Sequence, residues 1–104
     1  MPITDQALPI KVDLSAIASL CNHYHIRKLS LFGSVLRDDF QSDSDVDMLV
    51  EFETGKTPGF EFITVQNKLS EIVGRQVDLN TPKCLSRYFR DQVLADAKAI
   101  YVSR

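Results

Sequence analysis

From Asp45 to Glu53 the chain alternates without a break: Val46, Met48, Val50 and Phe52 fall on one side, and Asp45, Asp47, Leu49, Glu51 and Glu53 on the other. A period of two belongs to a β-strand, whose successive side chains point to opposite faces of the sheet. Such a strand needs an apolar layer against one face and presents a row of acids on the other. Aspartate is a poor strand former, so its presence at positions 45 and 47 asks for a chemical reason.

The flanking segments supply the apolar layer. Leu14, Ile17, Leu20, Cys21 and Tyr24 recur at helical spacing behind Asp13, which is placed to cap the first turn, and this helix ends near His25. Ile26 to Phe32 alternates, with Leu29 and Leu31 on one face and Ser30 and Phe32 on the other, until Gly33-Ser34 interrupts it; Val35 to Phe40 suits a brief helix. After the loop at 54–59, Phe62, Val65, Leu69, Ile72 and Val73 mark a helix that Gly74 closes. A third strand over 75–80 sends Val77 and Leu79 one way and Gln76, Asp78 and Asn80 the other. Pro82 opens a last helix, with Leu85, Tyr88, Phe89, Val93 and Ala97 as its apolar stripe. Helices alternating with three strands predict an α/β (α+β) fold: a small mixed sheet with helices mainly on one face, as a single domain over 1–104. A chain of 104 residues with 44% hydrophobic content has enough apolar surface for one core.

Composition narrows the function classes. Twelve basic against 14 acidic side chains leave a net charge of −2, so direct nucleic-acid binding through a broad electrostatic field is not expected. No signal peptide is recognisable and no apolar run approaches the roughly 20 residues that span a bilayer, which predicts no membrane partner and a cytoplasmic location. Cys21 and Cys84 lie far apart without metal-ligand spacing and are expected as buried, reduced thiols in helices. His23 and His25 suit the cation-favouring end of the first helix, a structural role. Arg87 and Arg90, flanking Tyr88 and Phe89, fit solvated arginines at the rim of a core stripe.

The acids form the chemical signal. Asp45 and Asp47 project from one face about 7 Å apart at Cα, close enough to share one or two hard cations, and Asp78 on a neighbouring strand adds a third carboxylate. Oxygen-only ligation suits Mg²⁺ or Mn²⁺ and argues against zinc. A site of this kind, with two metals, steadies both attacking and leaving oxygens of an in-line phosphoryl displacement. Gly33-Ser34 is the second half: glycine permits close backbone approach, and the exposed amides and the Ser34 hydroxyl can hold phosphate oxygens, with Arg37 one turn on as a charge-assisted contact. Only ten residues separate Ser34 from Asp45, so the chain returns to an adjacent strand and sets cradle and carboxylates side by side. Singly, each part has an ordinary reading. Gly-Ser after a strand is a turn, Asp-x-Asp a solvated strand end, and Asp78 a charge that protects an edge strand. Glu51 and Glu53 read as solvent-facing, Asp38 and Asp39 as loop residues, and Asp43 and Ser44 as braces of the turn into the acidic strand.

The combination, Gly33-Ser34 and Asp45-Val46-Asp47 within LSLFGSVLRDDFQSDSDVDMLVEFE and a later Asp78 in VDL, resembles the minimal nucleotidyltransferases of the DNA polymerase β superfamily over nearly the whole chain. It is most similar to the MNT-type antitoxins encoded beside HEPN-domain ribonuclease toxins, and less so to the much longer kanamycin nucleotidyltransferase. The resemblance implies that Gly33 and Ser34 hold a nucleoside triphosphate and that Asp45 and Asp47 bind two Mg²⁺ ions. Asp78 would complete the catalytic metal site and help activate the acceptor hydroxyl. It implies further that AMP passes from ATP to a tyrosine of a partner HEPN toxin, silencing it. A binding-only antitoxin that plugs the toxin and a small-molecule nucleotidyltransferase are the alternative expectations.

Overall fold

The computed structural model describes residues 10, 12–36 and 44–103. Arg37, Asp38, Asp39, Asp43 and the expected helix beyond Leu36 lie outside them. Helix α1 (Leu14–His23) opens on Asp13, whose Oδ1 accepts from Ala16 N at 3.1 Å. That bond satisfies one of the first-turn amides a helix leaves unpaired. Strand β1 (Ile26–Phe32) runs into a 3₁₀ turn at Gly33–Leu36; β2 (Val46–Phe52), α2 (Glu61–Val73) and β3 (Val77–Asn80) follow. Gly74, at φ 73°, closes α2 in the left-handed conformation that suits glycine.

The sheet is mixed, in the order β3-β2-β1 with a fourth strand, β4 (Lys98–Val102), beyond β1. β1 is antiparallel to both β2 and β4, while β2 and β3 are parallel and joined through α2. Both long helices lie on one face. Ile17, Leu20 and Cys21 of α1 and Val65, Leu69 and Val73 of α2 are buried with Leu29, Leu31, Met48, Val50, Val77 and Leu79 of the sheet. The alternation read along β2 thus holds, with Val46, Met48 and Val50 fully buried.

β3 is an edge strand, and α2 protects it. Val77 N donates to Ser70 Oγ and Leu79 N to Gln66 Oε1, each at 2.9 Å. The two outward amides of the edge are therefore capped by side chains, the role that a guarding charge at Asp78 was otherwise suited to fill.

The last third of the chain departs from the expected long helix. A 3₁₀ turn occupies Pro82–Cys84, Leu85 is extended (ψ 143°), and helix α3 covers only Arg90–Asp96 before β4 begins. Ser86 Oγ accepts from Tyr88 N at 3.3 Å, a local bond that competes with helix formation. Tyr88 and Phe89 are 92% and 51% exposed, so they are not core, and of the proposed stripe Leu85 alone is buried. Because β3 and β4 are opposite edges of the sheet, residues 81–97 have to cross it. Leu49 and Leu85, buried outside the main core, mark where this strap covers the second face.

Cys84 also departs from expectation. It is exposed, and the Thr81 hydroxyl, donating to its Sγ at 3.3 Å, lowers its thiol pKa; burial pushes Cys21 up to about 12. Thiolate is the reactive form, so iodoacetamide at mildly alkaline pH should alkylate Cys84 in the folded protein and reach Cys21 only in denaturant. Equal native labelling of both, read by peptide mass, would contradict the packing of α1. Among the described residues no helix is long and apolar enough to cross a membrane.

Candidate active site

The candidate residues gather at one end of the sheet. Since β1 is antiparallel to β2, its end lies beside the start of β2, and Phe32 is the cross-strand partner of Asp47. The parallel register of β2 and β3 pairs Asp47 with Asp78. Paired residues share a face, so the two carboxylates stand side by side at the spacing of adjacent strands, about 5 Å. Asp45, two residues earlier and exposed, belongs to the same face by alternation. Their direction is set by their neighbours: Val46, Met48, Val77 and Leu79 are sunk in the core, and a period of two leaves the aspartates no other side.

Gly33 ties the turn to this row. Its φ is +79°, and a Cβ built there would overlap Asp47 Oδ2 and stand 3.3 Å from Cγ. The bare backbone at the end of β1 therefore lies directly against the Asp47 carboxylate, which a side chain at this position would displace. Ser34 is half-buried, and Val35, 2% exposed, anchors the turn in the core. On the lead-in to β2, Arg75 Nη1 donates to Ser44 O at 3.4 Å and Val46 N to Gln76 O at 2.9 Å. Here the Ser44 carbonyl is held by Arg75, a residue that carried no sequence signal.

Glu51 shares the acidic face but not the site. It forms an ion pair with Arg27 and is the cross-strand partner of Lys28, further along β2. The donors that remain are oxygens, which fits a hard divalent cation. Among the described residues no three His, Cys, Asp or Glu side chains close around one point. Asp45, Asp47 and Asp78 instead line an open face, which suits a cation that keeps waters and takes further ligands from phosphate.

One neighbour of the turn was missed. A cavity of about 270 Å³ beside the turn is lined by Gly33, Leu36, Asp96 and Lys98. Lys98 opens β4 opposite Leu31, which faces the core, so it stands on the face away from the aspartates, and its nearness to the turn could not be seen while residues up to Ala97 were read as helix. The signal was the β-branched and aromatic run Ile100-Tyr101-Val102. A larger groove, about 490 Å³, lies between α1 and α2 among Leu20, His23, Tyr24, Lys68 and Glu71, away from the aspartates.

A mixed sheet with both long helices on one face and aspartates on the other, beside a glycine turn, is a nucleotidyltransferase arrangement, and the polymerase beta nucleotidyltransferase family model matches residues 15–104. The chain belongs to that family. It is similar to the protein adenylyltransferase MntA of Thermococcus cleftensis, with 33% identity over 84 residues, 80% of this chain and 81% of that one. Among solved structures it is similar to a minimal nucleotidyltransferase at 34% identity and a TM-score of 0.67, covering 81% of this chain and 85% of the other. It also resembles a chain from the structure of a tri-AMPylated Shewanella oneidensis HEPN toxin in complex with MNT antitoxin, at 21% identity and a TM-score of 0.62, over 86% and 70% of the two chains. At that identity the likeness is one of fold.

Proposed function

We propose that this chain is a Mg²⁺-dependent protein adenylyltransferase that moves AMP from ATP onto a tyrosine hydroxyl of a HEPN-domain ribonuclease toxin, and so serves as that toxin's antitoxin in the cytoplasm. The observation that carries the reading is the contact of bare Gly33 backbone with the Asp47 carboxylate, beside Asp78 in register. A phosphate seated on the turn would lie within reach of any cation held there. Kinship with an enzyme named protein adenylyltransferase supports AMP as the transferred group and a protein as acceptor. The fold shared with the MNT antitoxin supports the toxin as partner.

In this reading the amides of Gly33 and Ser34 and the Ser34 hydroxyl hold the triphosphate, and Arg37 adds a charge-assisted contact. Asp45, Asp47 and Asp78 would hold Mg²⁺, two ions in the full site. The metal, when bound, would polarise the phosphoryl oxygens and offset their charge. The acceptor oxygen bonds to the α-phosphorus, the bond to the leaving pyrophosphate breaks, and Asp78 accepts the tyrosine proton. The test is the intact mass of the partner toxin after incubation with this chain, Mg²⁺ and each nucleoside triphosphate in turn. Added adenylyl groups with ATP are expected. An unmodified toxin under every nucleotide, although still neutralised, would replace the enzyme by a binding-only antitoxin.

A further inference from the structure

We propose that Arg75 is a positioning residue for Asp45: by holding the carbonyl of Ser44 it sets the direction of a carboxylate that lies just outside the paired part of the sheet. This role rests on Asp45 being a metal-binding residue of the proposed nucleotide site, and adds what keeps it in place.

The three aspartates are not secured alike. Asp47 is paired on both sides, with Phe32 of β1 and Asp78 of β3, and the same register fixes Asp78. Asp45 is exposed and stands one residue before β2, whose pairing begins at Val46 with Val77 and at Asp47 with Phe32. Its side chain points where the two peptide units flanking its Cα direct it, because planar peptides leave a residue only two soft dihedrals. The unit after it is secured by backbone: Val46 N donates to Gln76 O at 2.9 Å. The unit before it carries the Ser44 carbonyl, which accepts from Arg75 Nη1 at 3.4 Å. One anchor is main chain and common to any sequence; the other is a side chain, and substitution removes it.

Arg75 is itself well rooted. Its amide and that of Gly74 both donate to Ser70 O, at 3.2 and 2.9 Å, where the left-handed Gly74 ends α2. Ser70 Oγ accepts from Val77 N, so the same serine ties the helix end to β3. From this fixed base the half-buried Arg75 reaches across from the start of β3 to the lead-in of β2. A planar guanidinium with donors in a rigid fork suits such a bridge better than a flexible ammonium. Groups that orient a metal ligand without touching the metal commonly govern how well the ligand binds.

Backbone ¹⁵N relaxation and calorimetric titration with Mg²⁺-ATP, both on the whole chain, test this together. In Arg75→Ala the order parameter of the Asp45 amide should fall from about 0.85 toward about 0.6, with Asp47 and Asp78 unchanged. Affinity for Mg²⁺-ATP should weaken about tenfold, the order of loss that removing an orienting partner of a metal ligand brings. Arg75→Lys keeps the charge without the fork and should fall between. An Asp45 as rigid in Arg75→Ala as in the wild type would overturn the proposal, and weakened binding would then mean that Arg75 meets the nucleotide directly. Unchanged affinity with a mobile Asp45 would overturn it as well, as would wild-type affinity in Arg75→Lys with Asp45 mobile, which assigns the effect to charge. Equal loosening of Asp45, Asp47 and Asp78 would make Arg75 a structural residue of the sheet and overturn it too. A wild-type chain that binds no Mg²⁺-ATP would remove the nucleotide site itself, and the proposal with it.

Discussion

An Asp47→Asn chain is expected to fold but to lose nucleotide transfer by on the order of 10³-fold or more, because a metal's charge stabilisation of the phosphoryl group is worth several kcal/mol and the amide is a far weaker ligand. Asp47 is the centre of the proposed site: it is paired with Phe32 on one side and Asp78 on the other, and Gly33 lies on its carboxylate. Asparagine keeps the shape of this half-buried side chain, so the metal-free protein should still unfold in one cooperative transition. What should vanish is the stabilisation by Mg²⁺-ATP, read as a rise in melting temperature, which in the wild type follows from binding to the folded state alone and amounts to about 2.7 kcal/mol at a hundredfold excess over Kd. Glu51→Gln is the matched control. It removes a charge from the same strand and face, but one engaged by Arg27, and turnover should stay near that of the wild type. Toxin neutralisation in cells gives a further readout: an enzyme disabled at Asp47 should no longer protect, whereas a plug would. Asp47→Asn with wild-type turnover would remove this aspartate from the chemistry.

Gly33→Ala should be nearly as damaging, for a reason of packing. Two costs fall on this substitution. The backbone at φ +79° charges any L side chain roughly 1 to 2 kcal/mol, and the new methyl group meets the Asp47 carboxylate. Gly55 separates them: its φ is +78°, yet nothing stands within 4 Å of a Cβ there. Gly55→Ala should therefore lose stability by the backbone cost alone and keep full activity. Gly33→Ala should lose more, and its transfer rate should drop about 10²-fold as Asp47 is pushed from its place, the order of loss that a displacement near 1 Å brings. Equal melts for the two variants, with activity intact in both, would mean that the turn yields freely and that its closeness to Asp47 has no catalytic meaning.

Much of this architecture is legible in local sequence because each element there reports its own environment. The alternation of β2 states which face is buried, the i, i+3, i+4 spacing of α1 and α2 states which stripe packs, and Asp13 and Gly74 mark a start and a stop that the structure places at those residues. The row of acids was visible for the same reason: with Val46, Met48 and Val77 committed to the core, their neighbours had one direction left.

Periodicity failed where tertiary position overrides it. Leu85, Tyr88, Phe89, Val93 and Ala97 have helical spacing, but the segment bearing them must cross from the β3 edge to the β4 edge, and that path breaks the helix and turns Tyr88 into solvent. Two residues two positions apart announce a shared face in the sequence itself. Register between strands does not, because it depends on how distant segments pair, so the alignment of Asp47 with Asp78, the approach of Gly33 to Asp47 and the arrival of Lys98 beside the turn emerge only when the sheet is assembled. The sequence alone determined which residues at the end of β1 and the start of β2 are candidates for the chemistry. Tertiary structure alone decided what stands next to them, because strand order and register are properties of the closed sheet and of no single strand.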